Sequence, residues 1–147
     1  MQFKLKKFNE LTNDELYALL KLRCDVFIVE QNCPYPDLDE KDKTSLHLLG
    51  YDGNDLAAYA RLLPPGLSYK EAAIGRVVVS GDHRKKDYGK ELMKEANKCT
   101  LKEFSVNEIV ISAQLYLLKF YTELGYKQEG EQYPEDDIPH IKMRFKN

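Results

Sequence analysis

The sequence predicts a mixed α/β fold, with about six or seven strands flanked by about four helices. Three observations lead there. Short β-branched runs alternate with amphipathic helical stretches, one continuous apolar strand sits mid-chain, and a strand-helix-strand unit follows it. Taken in order, Phe3 and Leu5 with a charged residue between them read as a first strand. Thr12 and Glu15 form a capping box opening a helix that places Leu16, Leu19 and Leu20 on one face. Leu22, Val26 and Val29 continue the helical spacing until Asn32-Cys33-Pro34 ends it, because proline disfavours a helical residue before it. Residues 34–45 carry Asp37, Asp39, Glu40 and Asp42 and form a polar loop, either a lid on a substrate side or a solvated connection.

Residues 46–51 and 56–63 read as an antiparallel pair joined by Asp52-Gly53-Asn54-Asp55. After Pro64-Pro65-Gly66, residues 72–80 contain Val77-Val78-Val79, a run suited to a strand covered on both faces. Residues 89–104 place Leu92, Met93, Ala96, Cys99 and Phe104 on one helical face, and residues 108–114 contain Ile109-Val110-Ile111. Two strands joined through a helix should run parallel, with a right-handed crossover. A last helix over 115–124 ends at Gly125, and residues 126–132 and 140–145 close the sheet.

The length of 147 residues suits one domain, 1–147. With 43% hydrophobic residues, ten Tyr and six Phe, the chain is expected to fold. The 22 basic and 24 acidic side chains give a net charge of −2, which supplies no positive field for nucleic acid. No apolar stretch approaches a membrane span, so the expectation is a soluble, unexported protein with no membrane partner. Cys24, Cys33 and Cys99 are too few and too scattered for a disulfide framework, which points to the cytoplasm, and they read as small buried hydrophobes, with exposure the alternative for Cys33 in its loop beside Pro34. No residues show metal-ligand spacing, so no metal is expected.

The most informative stretch joins Val77-Val78-Val79 to Arg84, Lys85, Lys86, Asp87, Tyr88, Gly89 and Lys90. A strand running into a basic turn and a helix start presents unpaired N–H groups to a diphosphate. By charge alone the same turn reads as a solvated basic loop before it reads as a phosphate site. Arg84-Lys85-Lys86-Asp87-Tyr88-Gly89 resembles the acetyl-CoA motif of the GNAT superfamily of N-acetyltransferases, Arg/Gln-x-x-Gly-x-Gly/Ala, with Asp87 at the first glycine. Gln114 and Phe120-Tyr121-Thr122-Glu123-Leu124-Gly125-Tyr126 resemble that family's asparagine and tyrosine-bearing helix. Val26 to Tyr35, His47-Leu48, Ala113-Gln114 and Ile138-Pro139-His140-Ile141 are similar to its small ElaA-like branch, which has glycine where Asp137 stands.

The resemblance implies a strongly twisted sheet whose central parallel pair splays, acetyl-CoA as cosubstrate and a primary amine of a small molecule as acceptor, in a monomer or homodimer. It further implies that Val77, Val78 and Val79 offer backbone groups to the pantetheine arm, that residues 84–90 with Gln114 hold the cofactor, and that Tyr121 both contacts it and protonates the departing thiolate. The acceptor's base remains open among His140, His47, Glu30 and Glu131, with Glu30, His47 and His140 as the substrate-binding candidates. A non-catalytic acyl-CoA-binding module is the competing expectation. A Rossmann-type redox domain is a weaker one, since the chain lacks Gly-x-Gly-x-x-Gly.

Overall fold

A computed structural model describes residues 1–84 and 86–147; the expectation placed on Lys85 lies outside the described residues. Strand β1 (Gln2–Lys7) leads into α1 (Asn13–Arg23), which begins at the capping box read from the sequence. Glu15 N–H donates to Thr12 Oγ1 at 3.1 Å, and Thr12 N–H donates to Glu15 Oε1 at 2.9 Å. The helix does not simply continue past Arg23. Cys24–Glu30 widens to a π-helix, with Gln31 N–H reaching Val26 O at 3.2 Å and Cys33 N–H reaching Ile28 O at 3.1 Å. Hydrophobic spacing alone does not distinguish this wider turn from an ordinary one.

Strands β2 (Leu46–Asp52), β3 (Asp55–Leu63) and β4 (Ala72–Val79) follow, then α2 (Tyr88–Glu103), β5 (Glu108–Gln114), a 3₁₀ turn over Leu115–Leu117, and α3 (Leu118–Glu123). The last strands, β6 (Lys127–Glu135) and β7 (Ile138–Lys146), are longer than the sequence predicts. Asp136 and Asp137 have φ of 51° and 62°, and these two left-handed residues make a tight hairpin where a longer loop was expected. Among the described residues the expected four helices resolve into three α-helices and the π-helical extension of the first.

The seven strands form one sheet in the order β1-β2-β3-β4-β5-β7-β6. Every neighbouring pair is antiparallel except β4 and β5. That parallel pair is joined only at Ala72–Ile109 and Ala73–Val110 and then diverges, so residues 74–79 pair only with β3. A bulge at Arg76, φ 50°, shifts the β3–β4 register between Tyr59 and Arg61 and bends β4 away.

Two apolar clusters cover the sheet. Leu92, Met93 and Ala96 of α2 and Tyr121 of α3 pack with Ile109, Ile111, Ala113, Ile141 and Met143 on one face. Leu19 and Leu22 of α1 pack with Leu49, Tyr59 and Val78 on the other. Val77 and Val79 join the first cluster and Val78 the second, so β4 is flanked on both faces as its apolar run predicts. Among the described residues no helix is long and apolar enough to cross a membrane. The cysteines depart from the expectation: Cys24 is exposed, while Cys33 and Cys99 are half-buried.

Candidate active site

The divergence of β4 from β5 opens a gap in mid-sheet, and the sequence-predicted residues distribute around it. At its C-terminal end β4 turns through Gly81–His83 into the basic loop. Asp87 adopts φ 57° and ψ 19°, the left-handed conformation that the glycine of the resembled motif would supply, and its side chain is exposed. Its carbonyl accepts the first helical bond, from Glu91 N–H at 3.1 Å. The N–H groups of Tyr88, Gly89 and Lys90 precede that bond and have no partner within the helix. Phe120 packs on Gly89, where an added Cβ would meet its ring at 3.5 Å, so α3 closes directly onto the start of α2.

Tyr121 lies one residue further along α3. Its ring is 6% exposed and meets Phe120 and Tyr126 edge-on, at centroid distances of 5.1 and 5.8 Å. Gly125, φ 95°, caps the helix and lets Tyr126 N–H return to Tyr121 O at 3.1 Å. Burial pushes the Tyr121 phenol well above its usual range, so the group is fully protonated at neutral pH. Its hydroxyl forms no hydrogen bond among the described residues.

On the opposite face of the sheet, Gln114 ends β5 directly across from His140 of β7. His140 alternates with Ile141, whose side chain belongs to the cluster holding Tyr121, so His140 and Tyr121 stand on opposite sides of the sheet. His140 Nδ1 is 2.7 Å from Ile138 O, and Nε2 is 3.2 Å from Glu135 Oε2. A carbonyl only accepts, so Nδ1 carries a proton and Nε2 is the nitrogen that faces Glu135. Tyr133 stacks on the His140 ring at 6.3 Å and shares a hydrogen bond with Ser112. Burial, followed by nearby Tyr133 and Glu135, pushes Tyr69 up to about 12. The side chains of Gln31 and Gln114 approach at 3.5 Å, bringing the end of the π-helix against the open end of β5. Cys33 Sγ, 3.4 Å from Asp136 O, ties the following loop to the β6–β7 turn.

One expectation is corrected. His47 is wholly buried, with Nδ1 2.7 Å from the Tyr59 hydroxyl and Nε2 2.8 Å from Asp42 O, so it is a core histidine that no substrate reaches. The loop acids are paired within the fold. Asp37 and Asp42 bind Arg23, Asp39 and Asp42 bind Arg61, and Asp37 and Asp39 bind Arg76, at distances between 2.7 and 3.3 Å. The signal for this network was present, since Arg61 and Arg76 interrupt apolar strand runs, where a charge persists only if paired. The remaining two candidates also find partners or solvent. Glu30 grips Arg84 through both carboxylate oxygens, and Glu131 is exposed on the edge strand β6.

Comparison with known proteins agrees with this fold. A profile of the GNAT acetyltransferase domain matches residues 20–147. A UPF0039 protein of Schizosaccharomyces pombe is 43% identical over 147 residues, covering 99% of this chain and 97% of that protein. Protein ElaA of Escherichia coli is 42% identical over 137 residues, 92% of this chain and 90% of that one. The crystal structure of Escherichia coli ElaA superposes with a TM-score of 0.91 at 38% identity, covering 99% of both chains. That of an acyl-CoA N-acyltransferase from Pseudomonas aeruginosa also gives 0.91, at 39% identity and 99% coverage of both. The chain therefore belongs to the GNAT superfamily, in its ElaA-like branch, and is an acyltransferase of the kind that takes its acyl group from acyl-CoA.

Proposed function

We propose that the protein is an acetyl-CoA-dependent N-acetyltransferase that acts on a primary amine of a small molecule, as a single catalytic unit in a reducing cytoplasm. The observation that carries this reading is the parting of β4 from β5 after Ala73 and Val110, with a basic helix start on one side and the Gln114–His140 pair on the other. The strand edge at 74–79 has backbone groups free on its β5 side, which suit the amide-rich pantetheine arm at Val77, Val78 and Val79. The N–H groups at the start of α2, with Arg84, Lys86 and Lys90 around them, suit the diphosphate. Asp87 supports this turn by taking the left-handed conformation itself, with its carboxylate exposed.

The acetyl carbonyl is polarised by a backbone N–H of β4, a preorganised donor worth a few kcal/mol of barrier. The amine nitrogen attacks the carbonyl carbon to form a tetrahedral intermediate, and the C–S bond then breaks. Tyr121 gives its proton to the departing thiolate and recovers one from the nitrogen, which sheds its second N–H proton on becoming an amide. An alkyl ammonium, with a pKa of about 10.4, must lose a proton before attack, and the His140–Glu135 pair on the acceptor face receives it.

Thiol release from acetyl-CoA across a panel of primary amines tests the reading. Tyr121→Phe should lower kcat by about 10²-fold with little change in acetyl-CoA affinity. Unchanged turnover would remove Tyr121 from the reaction, and CoA binding with no amine-dependent thiol release would instead favour a non-catalytic acyl-CoA-binding module.

A further inference from the structure

The basic loop is already occupied by carboxylates that do not belong to it. Arg84 lies in a two-pronged pair with Glu30, the last residue of the π-helix, and its second prong measures 2.7 Å. The same guanidinium donates to Val79 O at 3.3 Å, at the end of β4. Two positions on, Lys86 Nζ is 3.3 Å from Asp52 Oδ2 at the β2–β3 turn, and the Tyr88 hydroxyl donates to that oxygen at 2.9 Å. Two elements distant in sequence thus each hold one end of the loop.

We propose that Glu30 and Asp52 are latches on the diphosphate loop, and that an arriving acyl-CoA takes Arg84 from Glu30 and frees that carboxylate for a cationic acceptor amine. This rests on the acyl-CoA reading above. Glu30 takes one N–H from each terminal nitrogen of Arg84 and Val79 O takes another, so the two-pronged end of the fork that best fits a diphosphate is filled while Glu30 holds it. A carboxylate left beside the diphosphate would repel it, which makes the exchange complete rather than shared. Glu30 precedes Gln31, which already touches Gln114 on the acceptor face, so the freed carboxylate stands next to the side from which an ammonium arrives. The coupling is reciprocal: an ammonium held by Glu30 frees Arg84 and tightens CoA binding by the same factor.

Calorimetric titration of CoA into the wild type, Glu30→Gln, Asp52→Asn, Arg84→Gln and the Glu30→Gln/Arg84→Gln double variant tests this without an acceptor. Both pairs are solvent-exposed, so Glu30→Gln and Asp52→Asn should each tighten CoA by about two- to fivefold. Arg84→Gln should weaken it, and Glu30→Gln should add nothing in the Arg84→Gln background, the mark of a direct pair. Unchanged or weaker binding in Glu30→Gln, or an equal gain in both backgrounds, overturns the latch while leaving the acyl-CoA reading standing. Absence of CoA binding in every protein, wild type included, overturns both.

Discussion

Two clusters of opposite charges lie on this sheet, and they differ in what surrounds them. Beneath the end of α1, Arg23, Arg61, Asp37 and Asp42 are buried and interlocked, with Arg76 and Asp39 half-buried at the margin. At the start of α2, Arg84 and Lys86 pair with Glu30 and Asp52 in exposed contacts. Out of water a charge must keep its partner, because losing one leaves the other desolvated and alone. In water a partner is exchanged for solvent or for a ligand at little cost. The buried cluster is therefore architecture, and it holds the 34–45 loop to the bulged strand β4. The exposed one is free to change partners, as anion binding demands.

The sharpest way to break this contrast is Arg23→Ala, which removes the buried cation shared by Asp37 and Asp42 and leaves Asp42 with Arg61 and Asp37 with the half-buried Arg76. It should cost about 3–5 kcal/mol in urea unfolding. A loss below 1 kcal/mol would mean that the cluster behaves like a surface array.

Acid should act on the buried cluster next. Burial is the main cause of a His47 pKa lowered from 6.5, against the opposing bond to Asp42 O. The folded protein thus binds that proton less readily than the unfolded chain, and His47 contributes stability that is lost as pH falls below 6.5. Asp39, where burial is outweighed by the Arg61 hydrogen bond and charge, sits at about 2, and Asp42 is lowered in the same way by Arg23 and Arg61. Their contribution is present above 3.8 and lost at lower pH. The urea midpoint should fall between pH 7 and 5 and again below 4, and His47→Gln should flatten the first step alone. A first step of equal size in His47→Gln would place its origin elsewhere.

The smallest effect belongs to the exposed loop. Asp87→Gly keeps the left-handed turn and removes one negative charge beside the expected diphosphate. CoA affinity should rise about fivefold, and unfolding stability should shift by no more than about 1 kcal/mol. Weaker CoA binding in Asp87→Gly would show that the carboxylate itself takes part in holding the loop.

Much of this was legible in residue order. The capping box at Thr12, the apolar run at Val77, the Gly125 cap and the β-branched strand at Ile109 are local signals, and each forms its element where expected. Other features were not local. The widened helix at Cys24–Glu30 depends on which carbonyl each N–H reaches, and hydrophobic spacing does not register a change from i+4 to i+5. His47 looked like a titratable site residue because its sequence neighbours reveal nothing about Tyr59 and Asp42, which enclose it. Glu135 carries no local signal of a role, and only the pairing of β6 with β7 sets it on His140.

The sequence by itself determined the succession of strands and helices and the strand-turn-helix segment that carries the basic loop, because caps, turns and periodicity act over a few neighbouring residues. Tertiary structure alone decided which charges are locked in the interior and which stand open to exchange. Burial and partnership arise between residues as far apart as Glu30 and Arg84 or Arg23 and Asp42, and no short stretch of chain encodes them.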